Sequence, residues 1–419
     1  SKLIPWDLKT EKGRVLFQGS QKLLAIILSL VEAFAYVSFG AIRAVSFDIT
    51  WLVILQLAMG GWLILFMDEV VSKWGFGSGV GLFIVAGVAK TLILRALNPL
   101  TQAGTLPGPG NPPVGAVPFA LVSLSAGEPL QAFLSLLPLI STIIVFFLVV
   151  YVQAIRVEIP LAFSMVSGFG RRWPLKFLYT SNIPVILIAA LSANLQIIAR
   201  LLYQRGIKFF GVFDNQGNII GGLVYFLRPP ASQAISGVVT FMGMFALLGA
   251  MYFYLTKKKG DIKLVVFLAI IGAICWIALV NALNLTSLAQ INLIDVVRIF
   301  TYLAFMIIGS MIFSIFWVNT SGMDAGSVAD QIHSTGLSIP GYRRDIRIIR
   351  RVLDKYIPPL AVLGGATVGF LAAYADLTRA FGTGTGLLLA VMIVYQLYEQ
   401  IAMQHMQDMH PALRRFFSK

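Results

Sequence analysis

The chain alternates between long apolar runs and short polar segments, and this pattern predicts its secondary structure. Each run is about 20 residues, the length at which an α-helix crosses the hydrocarbon core of a bilayer. A helix in lipid satisfies its backbone N–H and C=O groups internally, so each run is predicted to be a membrane-spanning helix. The predicted spans are 21–41, 48–67, 77–97, 131–154, 182–203, 237–255, 262–284, 293–318, 358–374 and 384–404.

The amino-acid composition also indicates that lipid surrounds the chain. Hydrophobic residues make up 58% of the chain and charged residues 12%, whereas soluble domains carry about 25% charged residues. Such a chain cannot cover itself with polar surface in water. The runs are continuous rather than alternating, which excludes a transmembrane β-barrel. We therefore predict an all-α integral membrane protein, a bundle of about ten transmembrane helices.

The basic residues indicate which way the spans point. Most of the 32 lysines and arginines gather at alternate ends of the spans, on one side. Cytoplasmic loops attract these residues, so that side, with both termini and the loops 155–181 and 319–357, is predicted to be cytoplasmic. This indicates a multi-pass protein of the cell membrane. The net charge of +14 has two open explanations, namely anionic lipid headgroups or the phosphates of a nucleic acid.

Three connecting segments carry turn signals. Residues 98–130 are rich in Pro and Gly and are predicted to be turns and irregular structure rather than a folded domain. In the second outer loop, residues 214–218 predict a hairpin turn between short apolar stretches. Residues 257–261 contain three consecutive lysines and predict a tight cytoplasmic turn between two spans.

The loop 319–357 contains a different helix signal. Its apolar residues at 346, 349, 353 and 356 recur at helical spacing, which predicts a helix from near Tyr342 until Pro358 and Pro359 end it and open the next span. Basic residues four apart form one stripe, which we call the basic stripe: Arg343, Arg347, Arg351 and Lys355. Like charges so spaced repel. The stripe is therefore either a solvated or lipid-facing helix face or a docking surface for an acidic partner.

Six motifs are long enough to compare with known families. They are LFQG at 16–19, GSGVGLFI at 77–84, RVEIPL at 156–161, YTSNIPVIL at 179–187, GTG at 384–386 and YQLYEQ at 395–400. In this order they closely resemble the SecY family, the pore subunit of the protein-translocation channel, in its archaeal form. The resemblance covers most of the chain.

The resemblance implies a domain organisation. It begins just before the family's third helix, so the family's first two helices and the plug helix between them have no counterpart here. Residues 1–130 then correspond to the remainder of the N-terminal half, helices 3–5, and residues 131–419 to the C-terminal half, helices 6–10. Residues 237–284 add a helix pair between the family's seventh and eighth helices, and a pair preserves the topology.

The resemblance also implies a pore and a gate. Family members form an hourglass pore around which the bundle is arranged, closed by a ring of apolar side chains. Carried over position by position, the ring residues are Val80, Ile84, Ile186 and Leu389. An apolar ring disfavours water and ions, and its side chains deform around a moving peptide. Taken singly, such residues are ordinarily packing or lipid-facing positions. The span 182–203 resembles the helix of a gate that opens sideways to lipid, with polar positions Asn182, Ser192 and Asn194.

The cytoplasmic loops resemble the family's ribosome-docking loops. Arg343 matches the position that contacts ribosomal RNA there, and the tip of the earlier loop is less similar. The predicted docking residues are Arg171, Arg172, Arg343, Arg344, Arg347 and Arg351. The implied partners are SecE-type and Sec-beta-type small membrane subunits, the ribosome through its RNA phosphates, signal sequences, nascent polypeptides and the lipid bilayer. No cofactor or metal is implied.

Two other functions are weaker interpretations. A secondary transporter of a small solute would also have Gly- and Pro-interrupted spans, but it needs polar groups clustered at the midplane, and the sequence has few. An enzyme is not indicated, because H-E-x-x-H and G-x-S-x-G are absent from the sequence. Asp295 and Arg298 are ionisable residues three apart in one span, and we expect them to pair, with a role in gating as the alternative.

Overall fold

Apolar helices make up most of the described chain. The computed structural model describes residues 11–38, 42, 46–75, 77–108, 111–163, 170–214, 217–256, 262–282, 292–334, 337–338 and 345–408. Among them, ten helices are long and apolar enough to cross a membrane, which confirms the all-α membrane fold and the number of spans. They are α1 (Glu11–Ser38), α2 (Thr50–Trp74), α3 (Gly79–Leu97), α5 (Pro129–Ala154), α6 (Ile183–Gln204), α8 (Gln233–Thr256), α9 (Ile262–Ala282), α10 (Leu293–Thr320), α12 (Ile346–Leu377) and α13 (Gly384–Asp408).

Short elements lie between the spans. The short helices are α4 (Ala116–Ser125), α7 (Leu223–Phe226) and α11 (Ala325–Ser334). The strands are β1 (Arg156–Phe163), β2 (Gly170–Lys176), β3 (Val212–Phe213), β4 (Ile219–Gly221) and β5 (Leu337–Ser338). They form a three-stranded sheet in the order β2-β1-β5 and a two-stranded sheet of β3 and β4.

The segment 98–130 is more ordered than the sequence predicts. It contains α4, which packs on α5 and buries Ala116 and Ala120. The Pro- and Gly-rich part before α4 folds back on itself, since Gly115 N–H donates to the carbonyl of Asn98 at 2.9 Å. The prediction of irregular structure throughout is therefore wrong. Turn residues dominate the composition of the segment and conceal a ten-residue apolar helix.

Pro358 and Pro359 do not end a helix, contrary to the prediction. Both lie inside α12, which continues without interruption from Ile346 to Leu377. Prolines remove two backbone donors and cost helix stability, about 3 kcal/mol in an ordinary helix interior. Burial of Ile357, Leu360 and Ala361 on either side of the prolines offsets that cost.

The chain divides into two compact units, and the first comprises Ser1–Phe83, Ser192–Tyr225 and Leu397–Lys419. In this unit α1 and α2 pack antiparallel. Trp62 Nε1 donates to the carbonyl of Ile26 at 3.1 Å. Lys22 Nζ lies 2.6 Å from Glu69 Oε1 and so joins the two helices at one end.

The hairpin predicted at 214–218 is confirmed. β3 and β4 pair antiparallel, with Val212 opposite Gly221. Asp214 Oδ1 accepts from the backbone N–H of Asn218 at 2.7 Å. Gly217 has φ +85°, the left-handed region that the turn requires and that glycine adopts without strain. Residues 215–216 lie outside the described part of the chain.

The second unit comprises Ile84–Leu191 and Phe226–Gln396. Its largest apolar core joins α5, the first turns of α6, α10, α12 and α13. Small residues let α10 and α12 approach closely. A Cβ added at Gly369 would lie 2.5 Å from the carbonyl oxygen of Met306, and one at Gly365 would lie 2.9 Å from that of Ser310. Glycines at helix contacts are common in membranes, where packing rather than hydrophobicity holds helices together.

A half-buried carboxyl group joins three helices of the same unit. Asp376, near the end of α12, accepts from Tyr302 Oη of α10 at 2.6 Å through Oδ2. Its Oδ1 accepts from the backbone N–H of Gly384, the first residue of α13, also at 2.6 Å. The carboxyl therefore sets the ends of α10, α12 and α13 relative to one another.

The predicted helix pair at 237–284 is present as α8 and α9. Trp276 of α9 is buried against Gly237 and Phe241 of α8, and Phe133 of α5 packs on the same cluster. The lysine turn between the two helices lies outside the described residues. The division of the chain at residue 130, and the status of this pair as an addition to the family fold, stay predictions.

Candidate functional site

The two long loops that we predict to be cytoplasmic are joined in one sheet. β1 and β2 come from the first loop and pair antiparallel, from Arg156 opposite Lys176 to Ala162 opposite Gly170. β5 comes from the second loop and pairs with the other edge of β1, where Phe163 lies opposite Leu337. The sheet therefore ties together segments far apart in sequence.

One apolar cluster joins this sheet to two helices. It contains Ile159 of β1, Leu175 of β2, most of the buried face of α11 and the first turns of α12. Over residues 346–357 of α12 the buried positions are Ile349, Leu353 and Ile357. Their spacing is that of one helix face. Of the apolar positions in the sequence pattern, 349 and 353 are buried, 346 is half-buried and Tyr356 is exposed, so Ile357 takes the place of Tyr356 on the buried face. The opposite face of α12 is consequently turned away from the protein.

The described residues of the basic stripe occupy that exposed face. Arg347, Arg351 and Lys355 are all exposed on the first turns of α12. Asp345 caps the helix, since its carboxylate accepts from Arg347 N–H at 2.9 Å. Arg343, Arg344 and Tyr342, where the helix was predicted to begin, lie outside the described residues. Arg171 and Arg172 lie on β2, opposite Leu161 and Pro160.

The segment before α6 is held by several hydrogen bonds that the sequence did not reveal. Tyr179 Oη donates to the carbonyl of Met323 at 2.8 Å. Burial, with a smaller contribution from nearby Asp324, raises the pKa of Tyr179 to about 12, so the hydroxyl keeps its proton. Thr180 Oγ1 and Ser314 Oγ are 2.9 Å apart, and Ser314 Oγ donates to the carbonyl of Ala361 at 2.6 Å.

The next residue, Ser181, is bound from α13. Gln396 Nε2 donates to Ser181 Oγ. Ser181 has φ +55°, a conformation uncommon for a residue other than glycine. The YTSN motif at 179–182 is part of the resemblance to the family. Its contacts could not be predicted from neighbouring residues, because the partners are 134 to 215 residues away.

The predicted ring residues lie on three spanning helices. Val80 and Ile84 are on α3, Ile186 is in the first turn of α6 and Leu389 is on α13. Val80 is 43% exposed and Ile186 38%, whereas Leu389 is 8% exposed. Val80 belongs to the first compact unit and the other three to the second. The ring itself stays a prediction.

The start of α3 is held by a carboxylate that the sequence reading missed. Asp68 Oδ1 accepts from Val80 N–H at 2.9 Å and from Ser78 Oγ at 3.0 Å. A carboxylate at a helix N-terminus satisfies free backbone donors and complements the helix dipole. This contact holds the first turn of α3, which carries Val80.

The predicted gate residues lie at the start and in the middle of α6. The carbonyl of Asn182 accepts from Val185 and Ile186 N–H, at 3.2 and 3.3 Å, and so begins the helix. Ser192 is half-buried and Asn194 is exposed. Their role in a gate stays a prediction.

The predicted pair of Asp295 and Arg298 is confirmed. Arg298 Nη1 lies 3.4 Å from Asp295 Oδ1, and Arg298 Nη2 donates to the carbonyl of Pro229 at 3.1 Å. Thr301 Oγ1, on the next turn, donates to the carbonyl of Phe226 at 2.7 Å. These groups fasten the segment 226–229 to α10. In the part of the chain that the structure describes, no group of three His, Cys, Asp or Glu residues is placed to hold a metal ion.

Comparisons with known proteins extend over the whole chain. The sequence profile of the SecY family matches residues 2–398. A protein translocase subunit SecY of Methanocaldococcus jannaschii is 37% identical over 419 residues, which cover 100% of this chain and 79% of that protein. A solved structure of a protein-conducting channel is 36% identical with a TM-score of 0.71, covering 98% of this chain and 78% of its own. Sec61 from a canine ribosome–channel complex of the endoplasmic reticulum is 36% identical with a TM-score of 0.68, at 98% and 78% coverage.

Proposed function

The chain belongs to the SecY family, and on that premise we propose that it forms a protein-conducting channel. The channel passes unfolded polypeptides across the membrane and releases apolar segments sideways into the lipid. The observation that carries this proposal is the similarity to protein translocase subunits along the whole chain. The ten apolar helices are consistent with it, because a passive pore needs spanning helices and no catalytic centre.

In this proposal Val80, Ile84, Ile186 and Leu389 form the constriction. Val80 and Ile84 are one helical turn apart and so share a face of α3. A ring of branched apolar side chains excludes water and ions at rest, because a narrow apolar constriction dewets. The same side chains change rotamer when a peptide enters, so the ring seals around chains of varied sequence.

Transport of a secretory precursor tests the function directly. We expect liposomes that contain the natural channel, assembled with its small subunits and supplied with ribosomes, to protect the translated precursor from added protease. Liposomes without the channel serve as the control, and there the precursor is digested. Accumulation of a small solute with no protected precursor would instead favour the secondary transporter.

The lateral gate is assigned to α6. The proposed gate residues are three polar positions at the start and in the middle of this span, Asn182, Ser192 and Asn194. Interhelical hydrogen bonds in membranes contribute about 0.6–2 kcal/mol each. Bonds of that strength hold a gate closed and still break when a hydrophobic signal sequence inserts. We assign the gate function to these three residues together, with Asn194 at the middle of the helix.

The ribosome is the partner that we assign to the basic surface. The sheet β2-β1-β5 and the first turns of α12 share one apolar cluster, so the loops that carry the predicted docking residues form one supported surface. Arg347, Arg351 and Lys355 are exposed there. Exposed guanidinium groups attract RNA phosphates and release the counterions condensed on them. Arg171, Arg172, Arg343 and Arg344 complete the proposed docking set.

Reversing two charges of the basic stripe is expected to weaken ribosome binding. For Arg347→Glu with Arg351→Glu, we expect the dissociation constant to rise by about tenfold or more at low salt. The slope of log affinity against log salt should become shallower by about one to two, since each lost phosphate contact removes nearly one unit. Cosedimentation of the channel with ribosomes at several salt concentrations measures both quantities.

The matched control changes the same charge elsewhere. Arg205→Glu with Lys208→Glu alters two exposed basic residues of the predicted outer side by the same amount. Binding by this control should equal that of the natural channel. If both double variants lose affinity equally, net charge and not the basic stripe governs binding, and the docking assignment is wrong.

Orientation and the remaining partners complete the proposal. The chain is a multi-pass membrane protein, and we place both termini and the β2-β1-β5 sheet on the cytoplasmic side because basic residues concentrate there. SecE-type and Sec-beta-type small membrane subunits, signal sequences and nascent polypeptides are its proposed protein partners. Anionic lipids are attracted to the remaining basic residues at the cytoplasmic surface.

A further inference from the structure

We propose that the hydrogen bond from Gln396 to Ser181 positions two ring-bearing helices, α13 and α6, and so keeps the resting pore closed. The inference rests on the proposed channel function and goes beyond it, because neither residue belongs to the ring, the gate or the docking surface. Gln396 and Ser181 act through Leu389 and Ile186, so they are positioning residues.

The first argument is how firmly the start of α6 is attached. Tyr179 is bound to the chain after α10, Thr180 to Ser314 of α10 and, through it, to α12. A Cβ at Gly364 of α12 would lie 2.8 Å from the carbonyl oxygen of Phe177, so the backbones touch here as well. These contacts hold residues 177–180 in place. What they leave open is the direction in which α6 begins.

The second argument is the conformation of the residue that sets that direction. Ser181 is the last residue but one before α6, and its φ of +55° is held without a glycine. Such a conformation persists where the surroundings over-determine it. Gln396 donates to the Oγ of this same residue. The side chain of Gln396 therefore acts at the point where the chain turns into α6.

The third argument is the position of the ring residues relative to this bond. Leu389 precedes Gln396 by two helical turns, so the two side chains leave α13 on the same face, about 10 Å apart along the axis. Ile186 lies in the first turn of α6, five residues after Ser181. A shift at the bond thus moves Ile186 and Leu389 relative to each other, and both belong to the second compact unit.

A simpler interpretation is that Gln396 is a polar residue of a spanning helix that has found a partner. The two interpretations differ in what the bond controls. A bond that only stabilises the fold changes the melting temperature and leaves the resting pore tight. A bond that positions the ring raises the passage of ions through the resting channel.

The experiment measures chloride leak through the natural channel in liposomes without ribosomes or precursor. We expect Gln396→Leu and Ser181→Ala each to raise the leak about fivefold, the factor by which one ordinary hydrogen bond shifts a two-state equilibrium. The double variant should leak no more than either single one, because both remove the same bond. The Gln396→Glu channel should stay as tight as the natural one, because the carboxyl oxygen of the new side chain accepts a hydrogen bond from the Ser181 hydroxyl.

The control is Gln131→Leu, the same substitution at an exposed position of another spanning helix, which should leave the leak unchanged. Unchanged leak in Gln396→Leu with a lowered melting temperature would overturn the proposal, and so would a double variant whose leak is the product of the two single effects. Precursor transport by the natural channel is measured in parallel. Failure of that transport contradicts the channel function, whereas normal transport with tight variants contradicts only the positioning role.

Discussion

Gly369→Leu is expected to separate α10 from α12 and to destabilise the protein by about 3 kcal/mol or more. Even the first carbon of a new side chain would lie 2.5 Å from the carbonyl oxygen of Met306 and 2.9 Å from Ser310 Oγ. A backbone carbonyl in a helix cannot rotate away, so one of the helices must move. The apolar core on both sides of this contact would then lose its packing.

Thermal unfolding of the detergent-solubilised channel checks this result. Gly369→Ala should have a smaller effect of the same sign, because it adds only the first carbon. The control is Gly60→Leu on α2, where nothing lies within 4 Å of an added Cβ. A melting temperature of Gly369→Leu equal to that of the control would show that α10 and α12 are not in backbone contact.

Asp376→Leu is expected to have the second large effect, about 2–6 kcal/mol of lost stability. The change leaves two buried donors, Tyr302 Oη and Gly384 N–H, without the oxygens that now accept from them at 2.6 Å. Each unpaired buried donor costs about 1–3 kcal/mol. Tyr302 and Gly384 are buried in the protein, so water does not readily replace the lost oxygens.

Asp376→Asn separates shape from hydrogen bonding. The amide keeps the size of the carboxyl but has one oxygen, so it satisfies one of the two donors and should give an intermediate loss. Asp330→Leu, an exposed position on α11, is the matched control and should be close to neutral. Tyr302→Phe combined with Asp376→Leu should be less damaging than the sum of the two, since the phenylalanine removes the donor that the leucine leaves unpaired. Strict additivity would contradict the proposed three-helix junction.

Local sequence patterns were sufficient to predict the structure where the determining interaction is with the solvent or with residues close in sequence. The ten spans are defined by their apolar length, which depends only on the thickness of the bilayer. The buried face of α12 and its exposed arginines followed from helical periodicity. The turn at 214–218 followed from its turn-forming residues between two apolar stretches, and the hydrogen bond that Asp214 accepts from Asn218 N–H is equally local.

Predictions from the sequence pattern were wrong where a contact with residues distant in sequence outweighs a local conformational preference. Proline and glycine composition predicted irregular structure for 98–130 and a helix end at Pro358. Packing of α4 on α5, and burial on both sides of the prolines of α12, decided otherwise. Propensity differences of a few kcal/mol are smaller than the summed van der Waals contacts of several well-packed side chains.

By itself the sequence determined that the chain lies in a membrane, how many spans it has, that α12 begins as an amphipathic helix and, through its motifs, which family it belongs to. Only the tertiary structure decided that two separate loops share the sheet β2-β1-β5, that Asp376 joins three helices and that Gln396 binds Ser181. The physical reason is the range of the interactions. Hydrophobic periodicity is written into neighbouring residues, whereas a hydrogen bond between residues 215 positions apart exists only when the packing of the helices brings them together.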